Sequence, residues 1–192
     1  TYEPTTPPTR VSNLGVLWIT ERTGVALKVL RLFERRLGPD WRFQLFVARD
    51  LDSYYFNKPY IRKLVDEGRL IFYSWPRMTR EQYARLCINP SFWEEKVHGD
   101  RVLMFQTDSV PCSRSPHDIS EFYDYDFVGA PWPDLDYGGN GGLSLRNRTA
   151  LIQLLKAHSS EIINWTKSSK WTAEDVLICL FPAQKTLHQR CS

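Results

Sequence analysis

The sequence predicts an α/β fold in which a mostly parallel sheet is covered by helices on both faces. Short apolar runs alternate along the chain with segments of helical spacing, the pattern of such a sheet. One run, Val102-Leu103-Met104-Phe105, is continuous rather than alternating. Four apolar residues in a row suit a strand buried on both faces. The run ends abruptly in Gln106-Thr107-Asp108-Ser109, with Pro111 just beyond. Ligands of open α/β sheets bind at the carboxyl ends of the strands, so this polar exit is the first candidate site. Asp108 has two readings there. It is either a carboxylate able to hold a divalent cation, and through it a phosphate, or the cap of a turn.

The elements follow in order. Residues 1–10, with Pro4, Pro7 and Pro8, read as an extended lead-in to a single domain over 11–192. Leu14 to Ile19 is a buried strand that leaves the sheet at Thr20-Glu21-Arg22. Gly24 opens a helix with Ala26, Val29, Leu30, Phe33 and Leu37 on one face, and Gly38-Pro39 stops it. Phe43 to Ala48 is a second strand, with Arg49-Asp50-Leu51-Asp52 as its polar exit. Tyr60, Ile61, Leu64 and Val65 mark a short helix closed near Gly68, and a third strand follows at Leu70 to Tyr73. Thr79 stands at the N-cap of a helix reaching Leu86, with Gln82 three residues on as in a capping box. Asn89-Pro90 breaks that helix, and Phe92 to Lys96 is another helical piece before the continuous apolar strand. Asp126 to Gly129 and Leu143 to Arg146 are brief strands. Helices follow from Thr149 to about His158 and from near Thr172 to Leu180. No internal repeat or low-complexity tract appears.

Composition narrows the function. At 192 residues, with 42% hydrophobic and 24% charged, the chain is a globular domain with a sizeable core. A net charge of +3 does not point to nucleic acid, and Arg31, Arg35 and Arg36 are expected to meet water on a helical face. The cysteines Cys87, Cys112, Cys179 and Cys191 follow neither a zinc pattern nor a disulfide scaffold. No run is long enough to cross a membrane. His98 and His117 have no partner at ligand spacing and are expected at the surface. Asn147-Arg148-Thr149 and Asn164-Trp165-Thr166 fit the N-glycosylation pattern and favour the secretory lumen.

Two further clusters carry candidate chemistry. Gly139-Asn140-Gly141-Gly142 has the glycines that let a backbone take positive φ or pass close to a ligand, and it equally suits a tight hairpin. Glu174-Asp175 contains a candidate general base. Thr172, three residues before Asp175, makes a capping box the competing reading. Neighbours on a helix point about 100° apart, so one of the two acids at most is expected to face a cleft. Trp132, between two prolines, is the aromatic best placed as a platform for a sugar. A dinucleotide-binding oxidoreductase is a poor reading, because Leu17 to Gly24 lacks GxGxxG.

Taken in order, Thr20-Glu21-Arg22, Leu37-Gly38-Pro39-Asp40-Trp41, Phe92-Trp93, Leu103 to Ser109, Tyr125 to Trp132, Gly139 to Arg146 and Glu174-Asp175-Val176 resemble one family. It is an uncharacterised glycosyltransferase-like domain family of unknown function, related to glycosyltransferase-A folds. The resemblance implies a Rossmann-like glycosyltransferase-A fold that moves a sugar from a nucleotide-sugar donor to a glycan or other hydroxyl acceptor. Asp108 would match the second acid of the Asp-x-Asp metal motif and hold Mn2+ or Mg2+, while Gln106 stands where the first acid would be. Gln supplies a neutral oxygen where a carboxylate would cancel cation charge. By the same resemblance Thr20, Glu21 and Arg22 would lie near base and ribose, with Gln106, Thr107 and Asp108 completing the donor site. Trp132 and Gly139, Asn140, Gly141 and Gly142 would frame sugar and acceptor. Asp175, then Glu174, would be the base of an inverting transfer. His188 is the remaining candidate for a late metal-binding His, and the expectation is a domain shortened at that end. The rival reading is a non-catalytic nucleotide- or glycan-binding module on the same scaffold.

Overall fold

A computed structural model describes residues 2, 8–130, 139–168, 174, 175 and 178. The sheet has six strands: β1 (Val11–Ile19), β2 (Trp41–Ala48), β3 (Leu70–Trp75), β4 (Gly99–Phe105), β5 (Phe127–Gly129) and β6 (Ser144–Asn147). Their spatial order is β3-β2-β1-β4-β6-β5. The first four run parallel, β6 is antiparallel to β4, and β5 is antiparallel to β6. This is the mixed, mostly parallel glycosyltransferase-A-like sheet the sequence predicts.

The α-helices that accompany these strands include α1 (Val25–Leu37), α2 (Asp52–Phe56), α3 (Pro59–Asp66), α4 (Arg80–Cys87), α5 (Pro90–Glu95), α6 (Arg148–Ala157) and α7 (Ser159–Ser168), and Glu174, Asp175 and Ile178 are also helical. The continuous apolar run in β4 divides between two cores, as the period of two demands. Leu103 and Phe105 join Leu17, Ile19 and Phe33 on the α1 face. Val102 and Met104 join Leu14, Val16, Trp93, Leu151 and Leu154 on the face of α5 and α6. Fully burying each such side chain contributes about 1.5–3 kcal/mol, so β4 anchors both layers at once.

Local signals behave as their chemistry requires. Gly38 closes α1 with φ of 80°. Thr79 and Gln82 exchange both hydrogen bonds of a capping box, at 3.2 and 2.8 Å. Two helices carry no signal in the sequence. At five residues α2 is too short to show a period. In α7, Ile162 is buried while its neighbour Ile163 is exposed, so no apolar stripe announces the helix.

Two side chains depart from the sequence reading, His98 and Asn147. His98 is half-buried, with Nε2 at 2.8 Å from the Tyr73 hydroxyl, rather than at the surface; His117 is exposed as expected. Arg31, Arg35 and Arg36 are all exposed as expected, although Arg31 lies 4.4 Å from the centre of the Tyr60 ring and Arg36 donates to the carbonyls of Ser115 and His117. Asn147 caps α6 through Oδ1, and its Nδ2, the atom a glycan would occupy, donates to Asp126 at 2.8 Å. Asn164 is exposed on α7. Cys87 is a buried thiol and Cys112 an exposed one; Cys179 and Cys191 lie outside the described residues. None of the described helices is long and apolar enough to cross a membrane.

Burial, and then the positive charges of Arg148 and Lys96, hold the pKa of His98 below its ordinary value. A depressed folded-state pKa contributes stability that is present above the unfolded value, near 6.5, and lost as pH falls through the folded one. The urea midpoint is therefore expected to fall between pH 7.5 and 5, and His98→Gln to flatten that part of the profile. An unchanged profile in the variant would assign the acid sensitivity elsewhere.

Candidate functional site

The chain runs from β1 to β2 and β3 on one side and returns to place β4 on the other side of β1. A sheet whose order reverses between neighbouring strands opens a crevice at their carboxyl ends. Leu17 of β1 pairs with Phe105 of β4, so Thr20-Glu21-Arg22 and Gln106-Thr107-Asp108 leave the sheet side by side. The first exit is held firmly. Buried Tyr55 accepts from Thr23 N–H at 3.0 Å, and its hydroxyl lies 2.7 and 2.9 Å from the carbonyl oxygens of Glu21 and Thr23. Arg77 donates to the Thr20 carbonyl at 2.5 Å and pairs with Asp50 at 2.7 Å, which ties the exits of β1 and β2 together.

The second exit is a turn closed by Ser109, whose N–H donates to the Gln106 carbonyl at 3.0 Å and whose Oγ accepts from Gln106 N–H at 3.2 Å. Asp108 is exposed, and its carboxylate accepts no hydrogen bond among the described residues. Closing the turn is thus the work of Ser109, which leaves Asp108 open to solvent.

The glycine segment meets this exit. A Cβ on Gly142 would fall 2.9 Å from the Gln106 carboxamide oxygen and 3.0 Å from Asn140 Oδ1. Asn140 Oδ1 itself accepts from Gly142 N–H at 2.7 Å. Neither Gly141 nor Gly142 has positive φ, and the segment leads into β6 without forming a two-residue hairpin. The glycines serve close approach instead of a special backbone conformation. Gly141 N–H donates to Asp175 Oδ2 at 2.8 Å. A Cβ on Gly141 would fall 2.9 Å from Glu174 Oε1 and 3.0 Å from the Asp175 Cβ. Both acids therefore pack against the glycine turn.

Behind them lies a residue that motif reading passes over. Arg146 of β6 is 0% exposed. Its guanidinium donates to Ser144 Oγ at 3.0 Å and to the Gly141 carbonyl at 3.3 Å, stands 3.6 Å from Glu174, and sits 5.5 Å from the ring centres of Trp93 and Phe127. An Arg on the inward face of a short apolar strand is the signal that would have found it, because a buried charge requires an opposite one. Burial raises the pKa of Glu174 above the usual carboxylate range, against the opposing pull of Arg146. Tyr83 and Cys87 of α4 close this cluster, both pushed well up by burial with Glu174 adding to the effect.

The donor set at the β4 exit is one free carboxylate and one carboxamide turned to the glycine segment. Among the described residues no group of three or more His, Cys, Asp or Glu converges to hold a metal. This set suits a hydrated Mg2+ or Mn2+ shared with substrate phosphate oxygens, and not a cage made by protein alone. A cavity of about 780 Å³ lies beside Phe33, Trp41, Cys112, Tyr123 and Leu145. Among the described residues, Arg146, Glu174 and Asp175 do not line it; Leu145 does, and so does Ser144, the hydroxyl partner of Arg146. Trp132, Thr172, Val176 and His188 lie outside the described residues.

A reversed parallel sheet with an antiparallel edge and a polar crevice at its switch point defines a glycosyltransferase-A-like domain. Solved structures agree on the fold. Glycosyltransferase GlyE of Streptococcus pneumoniae TIGR4 is similar over 91% of this chain and 44% of its own, with TM-score 0.54 and 17% identity. Galactosyltransferase LgtC, solved in complex with donor and acceptor sugar analogs, is similar over 87% of this chain and 70% of its own, with TM-score 0.52 and 15% identity. The chain thus spans less than half the length of GlyE. No curated protein matches the sequence. Residues 72–190 match the family described as Protein of unknown function (DUF5672), and the chain belongs to that family. The match begins within β3, so Thr20-Glu21-Arg22 fall before it.

Gly141→Ala drives a methyl group into Arg146, Glu174 and Asp175. Overpacking of this kind costs about 1–3 kcal/mol, and a lower urea midpoint is the expected reading. Wild-type stability in the variant would show the contact to be looser than described.

Proposed function

We propose that this domain transfers a sugar from a nucleotide-sugar donor to an acceptor hydroxyl. One observation supports the reading above all. The β4 exit, the glycine turn and the Glu174-Asp175 pair meet at one end of the sheet, beside the β1 exit where this class of fold binds its ligands. Thr20, Glu21, Arg22, Thr107 and Asp108 are the proposed donor contacts. Gln106 seats the glycine turn, and Gly139 to Gly142 with Trp132 are the proposed walls of the sugar and acceptor site. Asp108 would hold Mn2+ or Mg2+ jointly with the donor's phosphates. The cation, when bound, supplies positive charge for the departing diphosphate.

In the proposed reaction the acceptor oxygen bonds to the anomeric carbon and the bond from that carbon to the diphosphate breaks. The acceptor proton passes to a carboxylate of the acid pair. The sequence ranks Asp175 first for this role. Asp175, however, is bonded to Gly141, whereas Glu174 has the raised pKa that suits a general base. The reading therefore gives proton acceptance to Glu174 and the anchoring of the turn to Asp175. A single carboxylate acting from the side opposite the leaving group yields inversion. The glycosylation pattern at exposed Asn164 fits a role in the secretory lumen.

A second reading has its own observation. Glu174 and Asp175 are 9% and 7% exposed, burial that equally suits a scaffold binding a nucleotide or glycan without turnover.

A nucleotide-sugar panel assayed with manganese separates the two. Transfer or donor hydrolysis is the expected result, lost in Glu174→Gln by about 10²-fold or more, as for a general base. The base works deprotonated, so the wild-type rate should rise with pH through a midpoint above the ordinary Glu value. Thermal stabilisation by nucleoside diphosphates with no turnover across the panel would establish the binding module instead.

A further inference from the structure

The chain places two cations around one aromatic ring at the β1 exit. The Arg22 guanidinium lies 4.2 Å from the centre of the Tyr54 ring, and the Lys58 ammonium 4.0 Å from the same centre. Neither forms a salt bridge with a carboxylate among the described residues. Arg22 is exposed, and Tyr54 and Lys58 are partly so. Two like charges held beside one ring repel unless an anion joins them. Their support is rigid, because Tyr55, next to Tyr54 on α2, grips the backbone on both sides of Arg22. The Tyr54 hydroxyl registers the local field, its pKa lowered by Lys58 first and Arg22 second.

Across the crevice the negative charge is sparse. Gln106 is neutral and its carboxamide oxygen is packed against Gly142, so Asp108 is the single free carboxylate of the β4 exit. Even with the exposed Glu21 carboxylate beside Arg22, the two cations leave an excess of one positive charge among these groups on the β1 side, fixed in place without a metal.

We propose that Arg22 and Lys58, carried on Tyr54, form a binding site for the diphosphate of the donor, so that donor binding does not require a divalent metal. The inference rests on reading the crevice as a donor site. It places the charge-neutralising groups outside the DUF5672-matched residues, on the β1 and α2 side.

Inorganic pyrophosphate is the probe, titrated calorimetrically into the whole chain in EDTA at low salt. Binding is expected in wild type. Arg22→Gln and Lys58→Gln should each weaken it about ten-fold, the scale of one charge-assisted hydrogen bond. Lys63→Gln, which removes an exposed charge on α3, should leave it unchanged. All three positions are on the surface, and equal thermal midpoints would show that the variants are folded. Binding that appears only with manganese, or that Arg22→Gln and Lys58→Gln leave intact, or that Lys63→Gln weakens equally, would overturn the proposal. The first of these would leave the transferase reading standing. Pyrophosphate binding without transfer from any donor would instead uphold this site and defeat that reading.

Discussion

The arrangement depends on a guanidinium taken out of water. Arg146 lies between two aromatic rings in the layer under the sheet, and a charge in that position must be matched. Removing one partner from a buried pair costs about 3–5 kcal/mol, because the survivor is left uncompensated. Glu174 supplies the opposite charge, and the Gly141 carbonyl and Ser144 hydroxyl take up N–H donors of the same group. Those ties bring a late helical acid and the start of β6 together. Once Glu174 is placed, its neighbour Asp175 reaches the Gly141 N–H. Placement of the acid pair thus follows from the need to neutralise one strand residue.

The same strand separates chemistry from mere space. On β6, Arg146 points toward the acids and Leu145 turns to the α1 core and its cavity, while Ser144 touches both. Volume alone would have pointed to the cavity. Polar groups that converge, and a carboxylate with a raised pKa, point to the crevice. The glycines explain how the two halves of that crevice come so near. With side chains at 141 and 142, the turn would stand off from both Gln106 and the acid pair.

Much of the fold was legible because its signals are local. The unbroken apolar run of β4, the Gly38 stop after α1 and the Thr79–Gln82 box each act through near neighbours in sequence. What stayed hidden lacked a period or depended on distant residues. Helix α2 is too short to show a stripe, and α7 does not segregate its isoleucines. His98 looked superficial because nothing near it in sequence reveals that Tyr73, 25 residues away, supplies its hydrogen bond. The three site clusters could be named from the chain, but the link between them could not. Arg146 stands at the end of the Gly139 to Arg146 stretch, and its burial depends on Trp93 and Phe127, which only the fold brings to it. The two cations on Tyr54 were hidden for a similar reason, since Arg22 and Lys58 belong to different elements.

The central claim is that the β4 exit and the glycine turn are two walls of one donor site. Peptide-resolved hydrogen exchange measures it directly, comparing the free chain with the chain saturated by whichever nucleotide-sugar stabilises it most. The account predicts that the donor slows exchange in peptides covering 106–109 and 139–142 together, with 20–23 protected beside them. Protection at only one of the two walls, or confined to the α1-face segment around Cys112 to Tyr123, would contradict it.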